Sequence, residues 1–337
     1  MAHQAKSRGD YTVAIICALQ IEHQAVTVML DCEHAALPPS PRSQNTNIYP
    51  YGELENHNVV ICCLPRQYGR GSAATVATNL SRSFPSIKSR LLIGIAGGIP
   101  SKNHDVCLGD VVVSMPGATH GGVVQYDLGK QTPTQLMRTG FLSPPPAHLR
   151  NAANTMKMQL RLANNNKIVQ HIDTVLAKRP HLDEFRRPES EPEASPQIHY
   201  GLIASGDAVI KSKTHRDQLR EALGDILCVE MEAAGISITY ECTVIRGISD
   251  LADENKNNDW QGYAAVAAAA CAKELLRRVP SAWKTGSTGG GMAQMALEDR
   301  QDTPRLGHTH AVQHGGGSQQ VGSGNIAISG SGNNLYG

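Results

Sequence analysis

Two acidic residues, Glu22 and Asp250, each follow a short apolar run and are placed to move protons. Glu22 comes four residues after the run at 11–18 (YTVAIICA), and Asp250 closes GISD directly behind the run at 242–248. Two further groups follow the same rule. Glu230, Met231 and Glu232 come straight after 226–229, and the glycine cluster GIAGG at 94–98 ends the run that begins at Leu91. In a parallel α/β sheet, ligands bind in the crevice outside the carboxyl ends of the strands, so these four groups would converge on one edge. Carboxyl groups brought together there can serve as general acid and general base.

Each feature also has an ordinary reading. A lone Glu in a first helical turn is favoured by the helix dipole, and a lone Asp after a strand commonly caps the next helix. Glu22, however, is in phase with Ala25, Val26 and Met29, which puts it on the inward face of its helix. A carboxylate on a buried face is costly unless it is paired or used. The glycine cluster does not make a dinucleotide fold. GIAGGIP lacks G-x-G-x-x-G, and Pro100 with SKNHD follows where a helix should start.

The elements that would position these residues are legible in outline. Strands are expected at 11–18, 48–53, 58–64, 91–95, 110–114, 123–126, 199–204, 226–229 and 242–248, with Asn56 and His57 in the turn between the second and third. Helices are expected at 71–84, 214–223, 231–240 and 260–278, with one more after the first strand carrying Ala25, Val26, Met29 and Leu30. Such alternation predicts a mostly parallel sheet covered on both faces. Residues 131–196 read as an insertion, with helices near 147–161 and 166–177 between Pro-rich loops at 143–148 and 186–196. The expected layout is an N-terminal tail at 1–10, one domain at 11–282, and a separate segment at 283–337.

Bulk composition narrows the function. Among 337 residues, 31 Lys and Arg balance 30 Asp and Glu, so no charge excess points to nucleic acid or an anionic membrane. The N-terminus has no signal-peptide core, and the run Thr12–Leu19 is too short to span a bilayer. The eight cysteines, at 17, 32, 62, 63, 107, 228, 242 and 271, form no C-x2-C pair and no zinc spacing. They read as reduced, buried thiols of a cytoplasmic chain.

The last 53 residues differ from the rest, holding 13 of the 32 glycines and few bulky apolar side chains. Such a segment cannot bury enough apolar surface to offset its ordering entropy, which predicts a flexible tail or linker. Gly-Ser-Gly-Asn recurs at 322–325 and 330–333, each time followed by apolar residues. That repeat raises the alternative of self-assembly through β-stacking.

Taken together, AIICALQIE (14–22), GIAGG (94–98), LGDVVVS (108–114), SGDAVI (205–210), VEMEAAG (229–235) and GISDLAD (247–253) resemble the nucleoside phosphorylase/nucleosidase superfamily. The likeness is greatest to its hydrolytic branch, typified by methylthioadenosine/S-adenosylhomocysteine nucleosidases. YGRGSAATVATNL and THGGVVQYDLGK further resemble the version at the N-terminus of fungal receptor-like proteins, where the domain precedes an NTPase module and repeats. The resemblance implies a three-layer α/β/α fold with a central mixed, mostly parallel sheet, a homo-oligomer, and no cofactor or metal. It implies that Asp250 protonates purine N7 with Ser249 orienting it, and that Glu22 activates water. Glu232 would hold the ribose hydroxyls beside Met231 and Glu230. Val209 and Ile210 would contact the purine, and Ala96 and Gly97 would border base and sugar.

The chemistry agrees with those roles. Breaking the C–N bond develops an oxocarbenium ion, and a purine leaves poorly until it is protonated, so one acid and one base are required. Asp250 would have to stay protonated near neutral pH, as burial favours. Two features depart from the family. Val209 stands where the hydrolases carry a bulky aromatic. Arg66, Arg70, Lys211 and Lys213 bracket the expected site, as a solvated loop or as a cradle for 5′-phosphates. The expected substrate is therefore a purine nucleoside, or a nucleotide such as ATP. Phosphorolysis, and a catalytically quiet ligand-sensing or assembly module, are the competing readings.

Overall fold

The computed structural model describes residues 6–38, 47–133, 136–163, 167–188 and 195–281. The expected tail at 283–337, with its repeats, lies outside the described residues. The strands are β1 Val13–Cys17, β2 Cys32–Glu33, β3 Tyr51–Leu54, β4 His57–Cys63, β5 Ser89–Gly98, β6 Val111–Ser114, β7 Val123–Gln125, β8 Gly129–Gln131, β9 Leu136–Arg138, β10 Ile198–Ser205, β11 Ile226–Glu230 and β12 Thr243–Asp250. The helices are α1 Gln20–Met29, α2 Arg70–Ser83, α3 Ala147–Ala163, α4 Lys167–Lys178, α5 Lys213–Leu223, α6 Ala233–Ser237 and α7 Gln261–Leu276.

The main sheet runs β11-β10-β6-β12-β5-β1-β4-β3-β2, with β7 added on β10. It is mixed and mostly parallel, and its antiparallel pairs are β12 with β6, β11 with β5, β3 with β4 and β2 with β3. β11 pairs with β10 and also with β5, where Val229 faces Gly97. Five strands thus close on themselves, a curl that alternating strands and helices do not announce. The curl carries the carboxyl end of β11 back to that of β5.

Burial on both faces explains the continuous apolar strands. Along β1, Val13, Ile15 and Cys17 pack into one core cluster while Ala14 and Ile16 pack into the other. The first cluster lies under α1, α3, α4 and α7, and the second takes residues of α2 and α6. Helix α7 is apolar almost all round and is buried along nearly its whole length, as such a helix must be.

Several boundaries differ from expectation. Leu149, Ala152, Met156, Ile168, Ile172 and Phe185 belong to the main core, so the stretch 131–196 builds the domain rather than decorating it. The hairpin turn falls at Glu55 and Asn56, both with positive φ, the geometry of a two-residue type I′ turn. His57 accordingly opens β4 and is buried. Residues 8–10 form a packed 3-10 turn, with the Arg8 guanidinium over the Phe84 ring, so the domain begins before residue 11. Helix α6 is shorter than expected because Met231 and Glu232 precede it as a bend. All eight cysteines are free, but Cys32 and Cys107 are exposed rather than buried.

Candidate active site

A cavity of about 230 Å³ opens where β1, β5, β11 and β12 end. All ten residues expected at the acid–base and substrate positions line it: Glu22, Ala96, Gly97, Val209, Ile210, Glu230, Met231, Glu232, Ser249 and Asp250. The strand ends supply most of them, and the loop after β10 supplies Val209 and Ile210.

Arg246, on β12, organises three of the carboxylates and has no exposed side-chain surface. Its Nη2 donates to Glu230 and to Glu232 Oε2 at 3.2 Å, and Nη1 lies 3.8 Å from Glu22 Oε1. Burial alone would lower the Arg246 pKa, but Glu230, Glu232 and Glu22 hold it above its ordinary value. Glu230 also caps α6, accepting from the amides of Glu232 (3.1 Å) and Ala233 (3.0 Å). Its oxygens are thus committed to holding the loop that presents Glu232. Glu232 accepts from the Gly69 amide at 3.2 Å, and burial pushes its pKa up to about 7 against the pull of Arg246.

Glu22 combines a local cap with a long-range contact. At the third position of α1 it reaches back to the amides of Leu19 (2.8 Å) and Ala18 (2.7 Å), closing the helix N-terminus. Its other oxygen accepts from Ile95 on β5 at 2.8 Å. Burial raises its pKa, while Arg246 and the three amides work in the opposite direction. Glycine at 94 makes this possible, because a Cβ there would collide with both Glu22 and Arg246.

Asp250 is held by three donors. Oδ1 accepts from the Ala252 amide at 2.9 Å, and Oδ2 accepts from Ser249 Oγ at 3.1 Å and from the Lys256 ammonium. The contact with the Lys256 ammonium is not part of the sequence expectation for Asp250. A Cβ on Gly97 would stand 2.9 Å from Asp250 Oδ1, so the second glycine of β5 clears room for this acid.

The four basic residues expected around a phosphate are not gathered into the cavity. Arg70 is bound by Asp207, with Nε to Oδ2 at 2.8 Å, and stands 3.4 Å from Asp127. Lys213 pairs with Asp217 at 3.0 Å on the outer face of α5. Arg66 and Lys211 are exposed, and each stands one or two residues from a lining residue, Tyr68 and Ile210 respectively. Among the described residues no cluster of three or more His, Cys, Asp or Glu side chains could hold a metal ion, and no helix is long and apolar enough to cross a membrane.

Sequence reasoning missed Arg246, Lys256, Tyr68 and Gln261. Arg246 had a readable signal, since an arginine inside the apolar run TVIRGIS must be paired if that run is a buried strand. Lys256 lies in DENKNN and carries no such signal, because a lysine in a polar loop normally faces water. Tyr68 brings an aromatic ring to the cavity that also contains Val209.

Comparison with known proteins agrees with this architecture. Residues 12–279 match the family model described as the phosphorylase superfamily. A nucleotide-binding leucine-rich repeat (NLR)-like protein of Hyaloscypha variabilis is 39% identical over 294 residues; the match takes in 79% of this chain but only 29% of that protein. The 5′-methylthioadenosine/S-adenosylhomocysteine nucleosidase of Mycobacterium bovis is 26% identical over 280 residues, covering 80% of this chain and 97% of the enzyme. Among solved structures, the Neisseria meningitidis nucleosidase in complex with methylthio-immucillin-A superposes with a TM-score of 0.55 at 22% identity, over 79% of this chain and 98% of that one. A family match across nearly the whole described chain, on a curled mixed sheet whose strand ends gather four carboxylates, places this protein in the phosphorylase superfamily.

Proposed function

We propose that this chain is a purine nucleosidase that hydrolyses the N-glycosidic bond to free base and sugar, working in the cytoplasm. The observation that carries this reading is that Glu22 and Asp250 both line one cavity while resting against β5 only three residues apart, at Gly94 and Gly97. In this reading Asp250 gives its proton to purine N7, Glu22 takes one from the attacking water, and Glu232 holds the ribose hydroxyls. Tyr68 offers the ring that Val209 lacks.

Charge favours water over phosphate as the nucleophile. Glu22, Glu230, Glu232 and Asp250 line the cavity, with Arg246 committed to three of them. Such a set stabilises a developing oxocarbenium ion and repels an anion at C1′. The 5′ end stays open to two substrates. Exposed Lys211 and Arg66 next to lining residues support a nucleotide such as ATP, whereas the pairing of Arg70 and Lys213 supports a plain nucleoside. Leu128, Phe141 and Ile238 are exposed around one surface hollow, which supports assembly with a second copy.

The reading is tested by incubating the protein with adenosine, methylthioadenosine and ATP and separating the products by chromatography. Free adenine from at least one of them supports it, and no base from any of them contradicts it. Loss of ATP turnover alone in Lys211→Ala/Arg66→Ala would assign the substrate as a nucleotide.

A further inference from the structure

Every hydrogen bond to the Asp250 carboxyl group comes from a donor: Ala252 N–H, Ser249 O–H and the Lys256 ammonium. A carboxyl group surrounded in this way accepts three times. Lys256 is the group in contact with it that carries a transferable excess proton. Its side chain is mostly buried, lines the cavity and keeps a path to water, being 21% exposed. Among the described lining residues it is the one cation; Glu22, Glu230 and Glu232 line the same cavity, and Arg246 lies against all three. On its own loop stand Asp253, Glu254 and Asp259, and Arg216 of α5 reaches Asp253 at 3.9 Å.

We propose that Lys256 supplies, through Asp250, the proton that the departing purine takes. This deepens the nucleosidase reading and rests on it. As the C1′–N9 bond breaks, its electron pair leaves with the purine. A proton passes from Lys256 Nζ to Asp250 Oδ2 and on to N7, so Asp250 ends as it began and Lys256 becomes a neutral amine. Water adds to C1′ and loses a proton to Glu22. Solvent then exchanges protons with Glu22 and Lys256, and the sum is one nucleoside and one water converted to one base and one sugar. Lys256 acts here as a positioning and proton-supplying residue for Asp250, not as a residue that touches the reacting atoms.

The test compares wild type, Lys256→Met and Lys256→Arg across pH 5–10 on two substrates: adenosine, or whichever of the three substrates above the wild type cleaves, and a 7-methylpurine riboside. The methylated base already carries its charge at N7 and leaves without a proton. In Lys256→Met, Asp250 must collect its own proton from water. The alkaline limb of the pH profile should therefore move to lower pH. Turnover at pH 8 should fall by roughly 10²-fold, the scale of a lost acid, and recover on acidification. The 7-methylpurine riboside should be cleaved nearly as fast as by wild type. Lys256→Arg keeps the ion pair but holds its proton too tightly to give it up, so it should fail as Lys256→Met does.

Three outcomes would overturn the proposal: full rescue by Lys256→Arg, an equal loss on both substrates at every pH, or no loss at all. Unchanged melting temperatures would show that both variants fold. Wild type that releases no base would sink the nucleosidase reading itself, whereas an active wild type with an unmoved pH profile in the variants would sink this relay alone.

Discussion

Gly94 and Gly97 stand three residues apart on β5, and the space left by each missing side chain is taken by a carboxylate, Glu22 over the first and Asp250 over the second. One strand therefore makes room for both groups. The glycines serve close approach here, not a turn, because a Cβ at 94 would overlap Glu22 and Arg246 together.

That relationship predicts the effect of Gly94→Ala. The added methyl group must push Glu22 off the Ile95 amide or displace Arg246 from its three partners. A displacement near 1 Å at such a site costs on the order of 10²-fold in turnover. Steady-state kinetics should show that loss mainly in kcat. Wild-type kinetics in Gly94→Ala would mean that the placement of Glu22 is not critical.

Asp250→Asn keeps the shape of the side chain but removes the carried proton. Turnover should fall by roughly 10²–10⁴-fold, the range for lost general acid catalysis, with far less change in substrate binding. Rapid-quench measurement of base release would separate the two. Near-normal release would move the acid to another residue.

Glu232 makes a pH prediction about stability. Its pKa is pushed by burial from 4.5 to about 7, so between those values the folded chain holds a proton that the unfolded chain has lost. The unfolded state binds fewer protons there, and stability must fall as pH rises through that window. The penalty is absent below about 4.5 and fully present above about 7, on the order of 3 kcal/mol. Urea unfolding of wild type and Glu232→Gln from pH 4.5 to 8 should show the variant with the flatter dependence. Parallel curves would contradict the assignment.

The sequence reveals the layers, and most of the cavity's composition, because those depend on local pattern. Strands such as 13–17 are apolar on both faces, and residues placed just after strands fall at one edge. It does not reveal the pairing of β11 with β5, which depends on how far the sheet curls and leaves no mark in residue types. The helices of 131–196 looked dispensable because Pro-rich loops flank them, yet Met156, Ile172 and Phe185 are buried in the main core. The basic residues misled for the opposite reason. Proximity in sequence suggests a cluster, but Asp207, which neutralises Arg70, lies far along the chain, while Asp217 takes Lys213 one turn on in α5, an i,i+4 pair that the helical spacing does offer. Lys256 shows the limit most clearly. Only the fold of the loop between β12 and α7 turns a polar-loop lysine onto the carboxyl group of Asp250.

The most direct test of the account is the fate of the sugar in phosphate-free buffer. If Glu22 activates water at C1′, the protein should release base at full rate without phosphate, and the sugar product should be a reducing sugar with no phosphate at C1. If base release requires added phosphate and the product is a ribose 1-phosphate, Glu22 is not serving water and the hydrolytic account is wrong.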